Sequence, residues 1–345
     1  MKMKRSCRQA GTKDYENPLY HERRGVACPE RRRVRGYFHM KTVKVRVPAT
    51  IGNLGPGFDV LGMALTMFSE YEISAGGFKK KNRTEYEFKE REAKTYGGKN
   101  IISVAMKKVF DEYGKHPSKC VIKSNNRIPL SRGLGSSAAA RVAGIMAANG
   151  LCGGKLNINW MLNAVSALEG HPDNAAPAFY GGIVFSAMYE SAVYHNRIGD
   201  GKRLKVVVNI SEGEVLTEKA RKVFREMVPR SDACDNLRNL SASCTAWNTG
   251  KYGILEKSTV DYLHQPYREK LVPGMKEVFS AALKGGAYGA VLSGSGPTIA
   301  AFCPDDDSLC RRVGQAMEKA RAAGGRGIRS ATKILRVAQK GAEYI

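Results

Sequence analysis

The sequence has no apolar run of about 18 residues or more, the length a membrane-spanning helix needs. Its most apolar stretch, Ala138–Ala148, is broken by Arg141. It has no Cys-x-x-Cys pair either. Eight cysteines are scattered at 7, 28, 120, 152, 234, 244, 303 and 310, with no histidine at zinc spacing. That pattern excludes zinc ribbons and fingers and favours reduced thiols in a cytoplasmic chain. No Gly-Lys-Ser/Thr closes a glycine-rich turn, and no third glycine completes a Gly-x-Gly-x-x-Gly frame. A Walker A loop and a dinucleotide fingerprint are therefore both absent. Acid is the scarce charge: 32 Asp and Glu stand against 56 Lys and Arg, a net charge of +24. Such a balance suits nucleic acid or small anionic substrates. No recognition-helix signature or aromatic stacking motif accompanies it, so no specific nucleic acid and no membrane partner is expected.

What is present begins with a basic leader. Residues 1–39 hold eleven Lys and Arg and four Asp and Glu, a net +7, and show no periodicity. They read as disordered, with the functional chain starting near Met40. Val43, Val45 and Val47 alternate with Lys44 and Arg46 as a half-buried strand that Pro48 is expected to end. Strands are expected at 65–74, 86–88, 121–122, 183–185, 206–210, 287–292, 299–303 and 335–337. Lys79–Arg83 reads as an exposed turn, and Pro177 with Gly181-Gly182 as a turn entering the strand at 183. Helices are expected at 100–113, 156–168 with Asn157 as cap, 217–227 with Thr217 as cap, 237–247, 274–283 and 309–323. Residues 266–273 read as a connector. Two domains follow, 40–200 and 201–345, with the boundary in the polar stretch 189–203. Alternating strands and helices in both halves indicate an α/β or α+β protein.

The most informative stretch is Pro129-Leu-Ser-Arg-Gly-Leu-Gly-Ser-Ser-Ala-Ala-Ala140, a tight loop feeding a helix. A helix N-terminus presents unpaired N–H groups and the positive end of the macrodipole, which together attract anions. Gly133 and Gly135 remove side chains that would keep a phosphate off the backbone. Ser136 and Ser137 add hydroxyls. Alone, this stretch reads equally as a phosphate loop or as a plain glycine-rich helix start. Glu169 closes the next helix, where the dipole disfavours an acid, so a cation partner is one reading and a surface glutamate the other. Asn53 and Asp59 sit among apolar neighbours in a Gly-rich turn, where buried polar groups need partners.

Three motifs stand in order: Pro48-Ala-Thr-Ile-Gly-Asn-Leu-Gly-Pro-Gly-Phe-Asp59, the loop at 129–140, and Ser293-Gly-Ser-Gly-Pro-Thr298. Together they resemble the signatures of the GHMP kinase superfamily. Within it, Glu169-Gly-His-Pro-Asp-Asn174, Thr217-Glu-Lys-Ala-Arg221 and His264-Gln-Pro-Tyr-Arg268 are similar to those of the homoserine kinases. The resemblance implies an α+β fold: an N-terminal domain with a left-handed β-α-β unit, a ferredoxin-like C-terminal domain, and an active site in the cleft between. It implies ATP-dependent phosphorylation of L-homoserine to O-phospho-L-homoserine, on the way to threonine. The amides of Gly133, Leu134, Gly135, Ser136 and Ser137 would cradle the triphosphate. Ser136 and Glu169 would hold Mg2+, and Asn100 would lie on the adenine side. Asp59 would take the substrate ammonium, and Arg221 and Arg268 its carboxylate. Asn53, His171, Asn174 and Thr217 would surround the reacting hydroxyl or orient the substrate. With Asn174 where other members place an aspartate, no strong base is implied. The turn at 293–298 is expected to touch the first motif and shape the cleft. Mevalonate- or shikimate-type kinases are the first alternative and a nucleic-acid-binding protein, suggested by the net charge, the second; a homodimer is an assembly the reading leaves open. Ile51-Gly52 departs from the Ser-Ala expected there, and Ile51 is expected to pack in the strand–turn core.

Overall fold

The computed structural model describes residues 39–345 apart from 81–82, 90–94, 97–98, 191 and 326. The expected leader, up to residue 38, lies outside the described residues, as does part of the Lys79–Arg83 turn. The architecture is α+β, as the sequence implies: among the described residues a seven-stranded and a four-stranded antiparallel-rich sheet, a two-stranded ribbon, and helices laid against the sheets.

The first half runs β1 (Lys41–Gly52), β2 (Leu61–Gly76), β3 (Glu85–Phe88), the two-residue strands β4 (Thr95–Tyr96) and β5 (Lys99–Asn100), α1 (Ile101–Tyr113), β6 (Lys119–Asn125), α2 (Ser136–Cys152), α3 (Ile158–Glu169), α4 (Ala175–Tyr180), β7 (Ile183–Tyr189) and β8 (Ala192–Gly199). Strand β1 does not stop at Pro48. The register with β2 shifts between Pro48 and Ala49, and this irregularity absorbs the missing N–H. Beyond it alternation gives way to continuous burial through Gly52, because both faces of the sheet are covered there. Ile51 is fully buried in the main core, as expected. Helix α2 is alanine-rich, and its small side chains let it pack closely. A Cβ on Gly144 would stand 2.8 Å from the Ile102 carbonyl oxygen of α1. Asn157 caps α3 by accepting from the Trp160 amide, as expected.

The second half runs β9 (Leu204–Ser211), α5 (Thr217–Arg221), α6 (Arg230–Thr249), α7 (Leu255–Ser258), α8 (Gln265–Arg268), α9 (Met275–Lys284), β10 (Gly289–Leu292), β11 (Ile299–Pro304), α10 (Asp307–Gly324), β12 (Ser330–Arg336) and β13 (Glu343–Tyr344). Its four-stranded sheet has the order β10-β11-β9-β12. The strand period of two divides this sheet between two cores. Val207 and Ala301 face α9 and α10, while Val206, Val208, Ala300 and Phe302 join Trp247 and Leu255 in the main core. The chain end then returns to the first sheet, where β13 pairs with β1.

Four local expectations are corrected. The polar stretch 189–203 contains β8, a strand that among the described residues pairs only with β7 and whose outward polar residues mimic a loop. Pro177 lies inside α4, near the start of that helix, where a missing N–H is tolerated. The helix expected over 217–227 ends at Arg221, and Thr217 caps nothing: the cap position is Leu216, without a side-chain bond. Phe224 leaves the helix to pack edge-on against Phe58 at 5.3 Å and under the Arg268 guanidinium at 4.9 Å. The connector at 266–273 begins within α8, whose start is held by Asp261 accepting from the amides of Leu263, His264 and Gln265. No helix among the described residues is long and apolar enough to cross a membrane.

Candidate active site

The loop ahead of α2 is fastened from two sides. The Thr50 amide donates to the Leu134 carbonyl at 3.1 Å, and the Ser293 hydroxyl donates to the Gly133 carbonyl at 2.6 Å. Gly133 and Gly135 have φ of 80° and 68°. A Cβ on Gly133 would stand 2.2 Å from the Ser293 carbonyl oxygen, and one on Gly135 1.9 Å from Thr50 Oγ1. The two glycines are therefore required by the neighbouring motifs as well as by the left-handed backbone. Leu134 does not line the cleft. Its side chain is fully buried in the main core and anchors the loop from behind.

A single cleft runs past this loop. Every residue proposed from the sequence as a site residue, Leu134 excepted, lines it. One end is apolar, with Tyr71, Phe88, Ile101, Ile122 and Leu130; the other is charged. Asn100 stands at the apolar end. Its side-chain oxygen caps α1 by accepting from the amides of Ile102 and Ser103 at 2.9 and 3.3 Å.

At the start of α2, Ser137 and Arg141 are four residues apart and share a face of the helix. Both reach Glu169 at the end of α3. The Ser137 hydroxyl donates to Glu169 Oε1 at 2.9 Å, and Arg141 donates to the same oxygen and to the Ser137 hydroxyl. The cation that balances an acid at this helix end is thus Arg141, which the sequence reading passed over. The structure joins Ser137 to Glu169. Ser136 lines the cleft beside them, and its hydroxyl has no side-chain partner among the described residues. A carboxylate and hydroxyls make an all-oxygen donor set, which fits a hard divalent cation such as Mg2+ alongside phosphate oxygens.

The charged end is built from the first motif and the second half of the chain. Asn53 and Asp59 both adopt left-handed backbone, with φ of 73° and 61°. Asn53 Oδ1 accepts from the Asp59 amide at 3.0 Å, and Asn53 Nδ2 donates to the Gly294 carbonyl at 3.3 Å. The 293–298 turn therefore touches the first motif, as expected, and grips the α2 loop as well. Asp59 and Arg221, expected to hold opposite ends of a zwitterion, pair with each other at 2.7 Å. Arg268 is 2 % exposed. It donates to Gly294 O at 2.9 Å and to His264 Nδ1 at 3.2 Å. Burial, with the charge of Arg221, pulls its guanidinium down to about 10. Burial also lowers His264, and its Nε2 meets the Gly55 carbonyl at 2.8 Å. A neutral ring that accepts from Arg268 at Nδ1 and donates to Gly55 at Nε2 satisfies both contacts. Both arginines lie 5.4 Å from the centre of the Phe58 ring. Thr217 is exposed at the rim.

Asp173, also missed from sequence, is the buried acid of this end, at 1 % exposure. It pairs with His171 Nδ1 and accepts from Asn174 Nδ2 at 3.1 Å. Burial alone would lower the His171 imidazole. The adjacent Asp173 carboxylate, with Asp59 and Glu169 further off, outweighs that and raises it to about 9. Burial likewise opposes ionisation of Asp173, but His171 holds its carboxyl below the ordinary range. Asn174 Oδ1 accepts from the Thr50 hydroxyl at 2.8 Å. A Cβ on Gly52 would stand 2.3 Å from Asp173 Oδ2, so the glycine in the departing Ile51-Gly52 pair makes room for this acid. The signal was present in the sequence: an acid two residues after a histidine, across a proline turn.

Comparison with known proteins defines the class first. The GHMP kinases N terminal domain matches residues 100–182, and the GHMP kinases C terminal domain matches residues 252–319. A homoserine kinase of Moorella thermoacetica is 41% identical over 302 residues, covering 87% of this chain and 99% of its own. One of Carboxydothermus hydrogenoformans is 40% identical over 271 residues, covering 79% of this chain and 88% of its own. The crystal structure of homoserine kinase from Cytophaga hutchinsonii superposes with a TM-score of 0.78 at 30% identity, over 88% of this chain and 97% of that one. The chain belongs to the homoserine kinase family of the GHMP kinases.

Proposed function

We propose that this chain transfers the γ-phosphoryl group of ATP to the side-chain hydroxyl of L-homoserine, giving O-phospho-L-homoserine and ADP. The observation that carries the proposal is the charge pattern along one cleft. The anion-binding start of α2 lines the same cleft as one carboxylate and two guanidiniums that share an aromatic ring. An amino acid with a free hydroxyl matches the second set. Mevalonate and shikimate carry no ammonium to pair with Asp59.

In this reading the adenine occupies the apolar end near Asn100, and the amides of 133–137 at the start of α2 receive the triphosphate. Glu169 and the adjacent serine hydroxyls would hold Mg2+, which supplies charge neutralisation at the phosphates when bound. The substrate ammonium goes to Asp59 and its carboxylate to Arg221 and Arg268, so one protein ion pair is exchanged for two ligand pairs. Asn53 and Thr217 orient the substrate from either side. Asn174, an amide, can position the hydroxyl but cannot take its proton, and the raised His171 is already protonated near neutrality. No strong base acts. A loose phosphoryl-transfer transition state asks for alignment and charge neutralisation, and the hydroxyl proton passes to the transferring phosphate. Residues 40–200 thus bring the nucleotide and 201–345 the two arginines, in an enzyme working in the cytoplasm.

A coupled assay of ADP release tests this. The wild type turns over ATP on addition of L-homoserine. Arg268→Ala raises the KM for L-homoserine about ten- to a hundredfold, the value of a charge-assisted hydrogen bond, and changes the KM for ATP little. No dependence on L-homoserine in the wild type would overturn the proposal.

A further inference from the structure

We propose that Arg141 sets the metal selectivity of the nucleotide site by leaving Glu169 only one oxygen to offer. The inference rests on the reading that Glu169 is a ligand for the nucleotide's divalent cation.

The observation is the asymmetry of the Glu169 carboxylate. Arg141 and the Ser137 hydroxyl both bond to Oε1, and among the described residues no group bonds to Oε2. Arg141 also bonds to Ser137, so the three groups close a triangle around Oε1. The helical spacing of Ser137 and Arg141 fixes two corners on one face of α2, and the last turn of α3 fixes the third. The triangle is half-buried, with side-chain exposures of 16% for Arg141 and 10% for Glu169, so water competes weakly for these bonds. Arg141 is not among the residues that line the cleft. It acts through Glu169 and is a positioning residue.

The consequence follows from ligand geometry. Mg2+ takes six oxygens at short, near-octahedral distances and accepts a carboxylate through one atom. Ca2+ takes six to eight at longer distances and gains from a carboxylate that gives both atoms. With Oε1 held by a guanidinium and a hydroxyl, Glu169 can offer Oε2 alone. The site then suits the smaller ion, and Ca2+ loses the second bond that would favour it. The guanidinium also cancels most of the carboxylate charge, so a cation enters with the triphosphate rather than ahead of it.

The test is metal binding by the full chain loaded with a non-hydrolysable ATP analogue, titrated by calorimetry with Mg2+ and separately with Ca2+. Arg141→Met keeps the length and helix preference of the side chain and removes the charge. It is expected to raise the affinity for Ca2+ relative to Mg2+ about tenfold, the scale on which partners behind a metal ligand act. Arg141→Lys keeps a cation against Oε1 and stays closer to the wild-type ratio. Thermal unfolding of both variants confirms that they fold. An unchanged ratio in Arg141→Met overturns the inference, and so does an equal loss for both ions. Glu169→Ala separates the two levels. If it weakens neither ion, the metal reading falls and the selectivity falls with it. If it weakens both while Arg141→Met leaves the ratio alone, only the selectivity role of Arg141 is refuted.

Discussion

Gly135 carries two constraints that can be separated by one pair of substitutions. Its φ is 68°, and a Cβ there would stand 1.9 Å from Thr50 Oγ1 and 3.1 Å from Asn174 Oδ1. Gly114, the residue that ends α1, has φ of 60° and no heavy atom within 4 Å of its would-be Cβ. Gly114→Ala therefore measures backbone strain alone, about 1–2 kcal/mol for a non-glycine residue in the left-handed region. Gly135→Ala adds the displacement of Thr50, which breaks the 2.8 Å bond to Asn174 and leaves a buried amide oxygen unpaired, at about 1–3 kcal/mol. The sum is about 2–5 kcal/mol, set against a total folding stability of about 5–15 kcal/mol. Urea unfolding followed by circular dichroism reads both variants, with equal m-values as the check that the unfolding reaction is the same. The cost of Gly135→Ala should exceed that of Gly114→Ala by at least about 1 kcal/mol. Equal costs would show that close approach to β1 does not demand a glycine at position 135.

Three further outcomes follow from the same geometry. His171 has a folded pKa of about 9, above its unfolded 6.5, so its pairing with Asp173 stabilises fully below about pH 6.5 and is lost as pH rises through about 9. The stability gap between wild type and Asp173→Asn should therefore shrink by about 3 kcal/mol from about pH 6 to pH 10 in metal-free buffer; a gap that does not change with pH would contradict the pairing. Arg321, 1 % exposed, donates to Asn209 Oδ1 and to the carbonyls of Pro273 and Pro297, so Arg321→Met should cost about 3 kcal/mol or more in chemical denaturation. A loss under about 1 kcal/mol would show that those oxygens find other partners. Thr50→Val, which removes the bond to Asn174 while keeping the shape of β1, should lower kcat with little change in the KM for ATP; an unaltered kcat would free Asn174 from any positioning role.

The parts of the fold with strong local pattern were legible. The valine alternation of β1, the alanine run of α2 and the Asn157 cap of α3 all stand where the sequence places them. What failed was decided by distant contacts. Pro48 does not end β1, because a register shift with β2 takes up its missing donor. Helix α5 ends early, because Phe224 turns to pack against Phe58 and under Arg268. Strand β8 was hidden because an edge strand with polar outward residues has the composition of a loop. In the site, the glycines and the charged motif residues were readable from the motifs. Arg141 and Asp173 were not singled out, since each owes its importance to a partner: Glu169 on the next helix for one, His171 across a proline turn for the other. Phe58 and His264 were equally silent, because nothing local marks an aromatic ring as the shared platform for two arginines.

Identifying the phosphorylated product separates L-homoserine from the other acceptors. The purified chain is incubated with Mg·ATP and, in parallel, with L-homoserine, mevalonate or shikimate, and followed by 31P NMR. The expected outcome is a new phosphomonoester signal and stoichiometric ADP with L-homoserine alone. A phosphomonoester from mevalonate or shikimate, with none from L-homoserine, would contradict it.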